Sequence, residues 1–223
     1  MGEVSETSGL DPVFGGTRVN ESDCGLLEKW RNVTAATVSD CLGRWHAMDA
    51  AVERRCGERM VGHAFPVRVM PGDNLTIHEA ISSVPAGSVL VIDAGGYANR
   101  AVWGELLSAA AMARGAVGVV VDGAVRDVSA QRELGFGCWS RAVSPAGPHK
   151  SGGGAWGEPI SCGGTTVSPG DLVIADEDGV VVVPAAKSDE TYHAPVDRME
   201  AETDWKAQLL AGRTSASLLG ISK

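Results

Sequence analysis

Three charged side chains carry the chemistry most legible in this sequence: Glu105, Arg126 and Asp127, all within WGELLSAAAMARGAVGVVVDGAVRD (103–127). A guanidinium beside a carboxylate, just past the C-terminal end of an apolar strand, sits where α/β sheets gather their ligands. A carboxylate in the first turn of a helix stands beside backbone N–H groups that have no intrahelical partner and suit an anion. Three charged groups around the Leu106 and Leu107 amides would suit a hydrated Mg²⁺ or Mn²⁺ binding a 2-oxo acid, because hard cations take oxygen ligands and keep several waters. Each group also has a plainer role. Glu105 can serve the helix dipole, worth up to about 1 kcal/mol, and Arg126 and Asp127 can form a surface ion pair or a turn cap. The apolar run before the pair favours the site, since charges leaving a core edge are costly when unpaired.

The elements that must position these residues follow from patterning. Residues 104–114 predict a short amphipathic helix ending near Gly115. Residues 117–121 predict a buried strand, and a glycine turn at 122–123 then delivers Arg126 and Asp127. Upstream, residues 24–44 read as helical, with Ser39 or Asp40 as the cap of a second helix. Residues 62–70 alternate like a strand and 75–84 read as a short helix. VLVID (89–93) is a buried strand ending at Ala94-Gly95-Gly96. Downstream come a helix at 130–134, a strand at 137–142 and a flexible Gly/Pro loop at 144–157. Strands at 159–167, 172–176 and 180–183 follow, then a charged helix at 188–210 stopped by Gly212. Helix–strand alternation followed by a run of strands predicts an α/β sheet with an antiparallel section attached. Residues 1–22, rich in Gly, Ser and Thr, read as a loose arm ahead of a single domain over 23–223.

Other function classes lose ground on the same evidence. The formal net charge is −9, and no Lys/Arg cluster is large enough to neutralise many phosphates, which argues against nucleic acid as a partner. No apolar run approaches the ~20 residues of a membrane span, and the acidic N-terminus is unlike a signal peptide. A cytoplasmic protein is therefore expected. Five cysteines without CxxC spacing read as free thiols. The five histidines show neither HxH nor HExxH, which speaks against zinc. Adjacent Gly95 and Gly96 lack the G-x-G-x-x-G spacing of a dinucleotide site, and there is no G-x-S-x-G nucleophile. His149 lies in the glycine loop, where it could touch a substrate, although a solvated loop histidine is the commoner case.

Three segments, GGYANRAVWGELLSAAAMARGAVGVVVDGAVRD (95–127), LGFGCWSRAVSP (134–145) and GGTTVSPGDLVIADEDGVVVVP (163–184), resemble the 4-hydroxy-4-methyl-2-oxoglutarate / 4-carboxy-4-hydroxy-2-oxoadipate aldolases. These share a fold with the RraA regulators of ribonuclease E. The resemblance runs from about Thr37 to the C-terminus. It implies an RraA-like layered α/β/β/α fold of the swivelling β/β/α type, with a C-terminal helix packed on an adjacent subunit of a homotrimer or homohexamer. It implies divalent-metal-dependent retro-aldol cleavage to pyruvate, with oxaloacetate decarboxylation as a side activity.

By position, the resemblance places Asp127 on the metal and Glu105 on the metal's waters. Gly104 and the Leu106 and Leu107 amides would lie at the substrate carboxylate, and Arg126 at the keto oxygen and reacting hydroxyl. Glu202 of a neighbouring chain, or Glu200 as second choice, would complete the metal environment. Two departures stand out. Glu105 is one methylene longer than the aspartate many members use, and HKSGGGAWGEP (149–159) is unusually glycine-rich where substrate-end specificity could be set. The alternatives from other classes are an RraA-like regulator that binds a ribonuclease, and the same enolate chemistry applied to an unrelated biosynthetic substrate.

Overall fold

The computed structural model describes residues 21–221. Most of the proposed arm therefore lies outside the described residues. Glu21 and Ser22 already belong to α1 (Glu21–Trp30), which is followed by α2 (Ala35–Cys41). The cap of α2 is Thr34, whose side chain accepts from the Thr37 amide. Ser39 and Asp40 instead lie inside the helix, because its apolar residues Ala35 and Val38 dock one turn earlier than the sequence pattern suggested.

After the edge strand β1 (Glu53–Cys56), which pairs with the later β5, come three consecutive strand–helix–strand units. They run β2 (Met60–Arg68), α3 (Leu75–Ala80), β3 (Ser88–Trp103), α4 (Glu105–Ala113), β4 (Gly118–Val125), α5 (Val128–Leu134) and β5 (Gly137–Val143). The strands β2 to β5 are mutually parallel and adjacent in sequence order. Short β6 (Ala155–Trp156) then pairs with β2, and β7 (Ile160–Cys162) and β8 (Thr165–Val167) form a separate hairpin. The single strand expected at 159–167 is thus folded back on itself at Gly163-Gly164, both of which take positive φ. β9 (Leu172–Asp176) and β10 (Gly179–Val183) close the chain's strand set. They are antiparallel and join the same sheet through β2, so the antiparallel section is continuous with the parallel one. The C-terminal part is α6 (Ser188–Thr191), α7 (His193–Leu210) and α8 (Ser215–Leu218).

Strand alternation sorts the apolar side chains into three layers. Leu90, Ile92, Val119 and Val121 face α3, α4 and α5, together with Ile77, Leu107 and Ala111. Their neighbours Val89, Val91 and Val120 point the other way, against Val173, Ala175, Val180 and Val182. Leu172, Ile174, Val181 and Val183 then face α1, α2 and the start of α7. The curved sheet therefore folds over its own inner core with helices on both outsides, in the order helix, sheet, sheet, helix. β2 makes the crossing: Val61 faces the α2 side, whereas Phe65 and Val67 face α3.

Two sequence expectations are corrected where β3 meets β4. β3 does not stop at Gly95-Gly96 but continues to Trp103 through three register irregularities. Asp122-Gly123 is not a turn: both residues lie inside β4. Asp122 is buried in the strand because Arg141 and the Gly163 amide satisfy its carboxylate. Gly123 is required for space, since a Cβ there would stand 2.8 Å from the Ala94 Cβ on bulged β3.

Candidate active site

The C-terminal ends of β3 and β4 deliver the site. The Arg126 amide donates to the Trp103 carbonyl at 3.0 Å, which locks the two strand ends together just before each chain turns into a helix. Asp127 follows in the left-handed conformation (φ 55°) as the residue preceding α5. Aspartate tolerates that region better than most residues, and the bend swings its carboxylate back beside Arg126, with Nε to Oδ2 at 3.3 Å. Both side chains are 41% exposed. The charges therefore face a wet cleft, and the pair costs less desolvation than a buried strand end suggested.

Gly104 permits this approach. Its φ is −167°, an extended value open to any residue, so the constraint is spatial. A Cβ there would lie 2.7 Å from the Asp127 Oδ2 and 3.1 Å from the Arg126 Cγ. With no side chain at 104, the carboxylate and guanidinium sit directly over the start of α4, where the first amides have no carbonyl of their own helix to bond. Leu107 is buried as the helix anchor and Leu106 is exposed.

A buried relay that patterning did not reveal supports the pair from behind. The Trp103 indole N–H donates to the Ser108 Oγ at 2.8 Å, and the Ser108 hydroxyl donates to the Gln131 Oε1 at 2.9 Å. The Gln131 side-chain amide in turn donates to the Arg126 carbonyl at 2.6 Å. Ser108 and Gln131 are completely buried. The relay ties β3, α4 and α5 to one peptide, the one that carries Arg126 into Asp127. A polar Gln on the inner face of α5 was the available signal.

The Arg126–Asp127 pair and the start of α4 line a cavity of about 350 Å³, within the usual range for small-molecule sites. Its wall includes Gly104, Leu106, Leu107, Arg126 and Asp127, and on the opposite side Asn74, His78 and Lys150. The sequence reading missed that opposite wall. The Lys150 Nζ lies 3.1 Å from the Asn74 Oδ1 and 2.9 Å from the His78 Nε2. Burial, and then the adjacent Lys150 charge, pull the His78 pKa below its ordinary value, which favours a neutral ring whose Nε2 accepts a hydrogen bond from the lysine ammonium.

The loop carrying Lys150 is pinned rather than free. The buried Asp73 carboxylate accepts from the amides of Leu75, Ser151 and Gly152, and the Thr76 hydroxyl accepts from Gly154. Burial alone would raise the Asp73 pKa, but the three amides outweigh it and hold the carboxyl below the usual carboxylate range. His149 contributes its backbone to this anchorage, bonding Gly72 and Asn74. Its side chain is exposed and does not line the cavity.

Of the expected metal-site carboxylates, only Asp127 lines the cavity. Glu105 begins α4 as expected but is exposed and is not part of the lining. Glu200 and Glu202 lie on α7, which packs on α2. There Glu202 pairs with Arg198, which also pairs with Asp40. Within one protomer they are away from the cavity. Among the described residues, no cluster of three or more His, Cys, Asp or Glu side chains is placed to hold a metal. The donors present still fit a cation that keeps its waters and takes one or two carboxylates, as Mg²⁺ does. The evidence for that fit is the Asp127 carboxylate, held in a cradle that a Cβ at 104 would fill.

Comparison with known proteins places this architecture. The family model described as RraA-like, Aldolase/RraA, matches residues 35–182. The chain belongs to the RraA-like family. A relative from Halalkalibacterium halodurans, named "Putative 4-hydroxy-4-methyl-2-oxoglutarate aldolase", is 34% identical over 77% of this chain and 82% of its own. Protein DlpA of Legionella pneumophila is 30% identical over 87% of the chain, which spans only 33% of that longer protein.

Among solved structures, Streptomyces coelicolor RraAS2 is described as an unusual member of the RNase ES inhibitor RraA protein family. It superposes with a TM-score of 0.75 at 29% identity, covering 82% of this chain and 98% of its own. The RNA-processing inhibitor RraA from Thermus thermophilis gives 0.63 at 32%, covering 69% and 93%. The RraA-like fold expected from the motifs is thus the observed one. Among the described residues, no helix is long and apolar enough to cross a membrane.

Proposed function

We propose that this RraA-like protein is a divalent-metal-dependent aldolase that cleaves a 4-hydroxy-2-oxo acid, such as 4-hydroxy-4-methyl-2-oxoglutarate, to pyruvate and a second carbonyl compound. The observation that carries the reading is one cavity bounded by a guanidinium, an adjacent carboxylate and an open helix N-terminus. That set matches the charge pattern of a 2-oxo acid becoming an enolate. The Leu106 and Leu107 amides hold the substrate carboxylate, and the Arg126 guanidinium donates to the keto oxygen. When the C3–C4 bond breaks, its electron pair moves to form the enolate. The negative charge then grows on the oxygen that Arg126 faces, where a preorganised cation lowers the barrier most. The C4 hydroxyl gives its proton to a water in the cavity as it becomes the second carbonyl, and return of that proton to C3 of the enolate completes pyruvate.

Asp127, with Glu105 through water, would hold a Mg²⁺ or Mn²⁺, which would supply Lewis acidity toward the 2-oxo acid and acidify a water. Lys150 and Asn74 on the far wall suit an anionic far end of the substrate. Oxaloacetate would yield the same enolate by loss of CO₂, so decarboxylation accompanies the aldol reaction. The proposed assembly is a homotrimer or homohexamer in the cytoplasm, with Glu202 of a neighbouring chain facing the metal and Glu200 as second choice. That arrangement would give Glu202 a role that its surface position in the protomer does not.

The test is pyruvate release from a panel of 4-hydroxy-2-oxo acids and oxaloacetate, with Mg²⁺ or Mn²⁺ and with chelator. Arg126→Ala and Asp127→Ala are each expected to lose more than about 99% of activity, roughly 3 kcal/mol of transition-state stabilisation. Near-normal turnover in either variant refutes the assignment. Because Lys150 lines the cavity, borohydride with pyruvate is a second check: a trapped lysine adduct would replace this mechanism with a Schiff-base one. RraA-fold inhibitors among the solved structures supply the rival reading. Absence of metal-stimulated pyruvate release, together with tight binding to a ribonuclease, would favour it.

A further inference from the structure

A second groove, of about 930 Å³, lies where β1 meets β5. Its lining includes Arg54, Arg55, Arg132 and Cys56, with Glu58 and Glu177 also on its wall. Cys56 is 5% exposed, and directly opposite it in the antiparallel ladder stands Cys138, fully buried. Both thiols are free and both point into the same apolar layer. Directly opposed residues of an antiparallel pair have Cα atoms about 4.5–5.5 Å apart, inside the roughly 4.4–6.8 Å range that a disulfide spans. The β-bulge at Arg55 marks where β1 bends over this pair, and the Arg55 side chain leaves it to bond Ser140.

We propose that Cys56 and Cys138 form a redox-active dithiol, oxidised to a cross-strand disulfide by a small anionic disulfide that docks in the arginine-lined groove. The reaction is a thiol–disulfide exchange in two steps. Cys56, as thiolate, attacks one sulfur of the incoming disulfide, forming a mixed disulfide and expelling one thiolate, which takes up the proton Cys56 lost. Cys138 then attacks the Cys56 sulfur, transfers its own proton to the second leaving thiolate and closes the Cys56–Cys138 bond. The protein is oxidised by two electrons and the small disulfide is reduced to two thiols, so the balance is complete. Cys56 is the nucleophile because, of the two cysteines, it is the one on the groove's lining, and its thiol, which rests on the Phe136 carbonyl, is the less deeply buried. Its thiol is held below the usual range by the hydrogen bond with Cys138, with the Arg132 charge acting in the same direction against burial. Cys138 is pushed the opposite way by that hydrogen bond and by its burial. It is the thiol that waits.

The test uses the full chain and glutathione disulfide, whose carboxylates suit Arg132 and Arg54 on the groove, Arg55 being held by Ser140 and Glu53. Native protein exposed to it is expected to lose two hydrogen masses, and non-reducing peptide mapping should join the Cys56 peptide to the Cys138 peptide. Cys138→Ser is expected to stop at a glutathionyl group on Cys56, whereas Cys56→Ser leaves Cys138 unmodified. Arg132→Gln is expected to slow the reaction several-fold with glutathione disulfide but not with uncharged hydroxyethyl disulfide. Recovery of both Cys56 and Cys138 as free thiols from the treated wild-type protein overturns the proposal, and that measurement stands even if a serine variant fails to fold. Labelling of Cys138 at the wild-type rate in Cys56→Ser overturns the assigned order of attack.

Discussion

Replacing Gln131 tests whether the buried relay, rather than the Arg126 side chain alone, sets the site's geometry. In Gln131→Leu the side-chain volume is nearly kept, but the Arg126 carbonyl loses its donor and the Ser108 hydroxyl loses its acceptor. Each orphaned buried group costs about 1–3 kcal/mol. Because the carbonyl is only partly buried, the sum should fall near 3 kcal/mol. For a chain of this size that lowers Tm by about 6–12 °C, readable by thermal denaturation at fixed protein concentration. The Arg126 peptide is also freed to move. Misplacement by about 1 Å can cost on the order of 100-fold in rate, so kcat for pyruvate release is expected to fall at least ~10-fold with KM changed less.

Ser108→Ala is the control. It removes the middle of the relay but leaves the Gln131–Arg126 bond, so it should lower Tm comparably while sparing most of kcat. Gln131→Glu supplies a rescue. The buried carboxyl's pKa is raised when folded, so the neutral acid, able to accept from Ser108 and donate to Arg126, is favoured at low pH. Its stability relative to Gln131→Leu should therefore be greatest below the ordinary glutamate pKa of about 4.3 and decline as pH rises. A Gln131→Leu protein with wild-type Tm and kcat would refute the reasoning. Equal kcat losses in Gln131→Leu and Ser108→Ala would reduce the relay to general packing.

Gly104→Ala places a methyl 2.7 Å from the Asp127 Oδ2 without backbone strain, so kcat is expected to fall by ~10-fold or more while Tm changes by only a few degrees. The depressed pKa of Asp73 means that its anchoring of the 151–154 loop is complete above the unfolded aspartate pKa of about 3.9. The anchoring is then lost as pH falls through the lower folded value. Asp73→Asn should mimic that loss at neutral pH, seen as faster amide exchange at Ser151 and Gly152. The His78 ring, whose pKa is lowered by burial first and by Lys150 second, should titrate by NMR below about 6.5. Lys150→Met should move it only part of the way back.

How much of this was legible in the sequence depended on the range of the interaction that fixed each feature. The α4–β4 unit was readable because helix period, apolar run and terminal charges are all local in 103–127. The apolar runs of β3 and β9 were readable as buried strands for the same reason. The DG pair inside β4 was misread as a turn because what keeps it extended is remote: Arg141 and the Gly163 amide satisfy Asp122, and bulged β3 fills the space beside Gly123. The Gly-rich loop looked mobile for a similar reason. Its anchor, Asp73, lies far upstream in sequence.

The same distinction explains why the reactive pair was found and its opposite wall was not. Arg126 and Asp127 are adjacent, and their pairing needs only one left-handed residue. Asn74, His78 and Lys150 meet only because the start of α3 and the 144–154 loop are stitched together by Asp73 and Thr76. On the proposed function, the wall that would meet the invariant part of a 2-oxo acid is thus encoded locally. The wall that would meet its variable end is encoded by a long-range contact between a helix start and a loop. Substitutions in 149–154 that keep the Asp73 anchorage should therefore alter substrate preference while leaving the Arg126 chemistry intact. Lys150→Met is the simplest case. It should raise KM for 4-hydroxy-4-methyl-2-oxoglutarate, whose second carboxylate extends to the far wall, more than for oxaloacetate, whose second carboxylate lies one carbon nearer the enolate. An equal loss on both substrates would place Lys150 in the common chemistry instead.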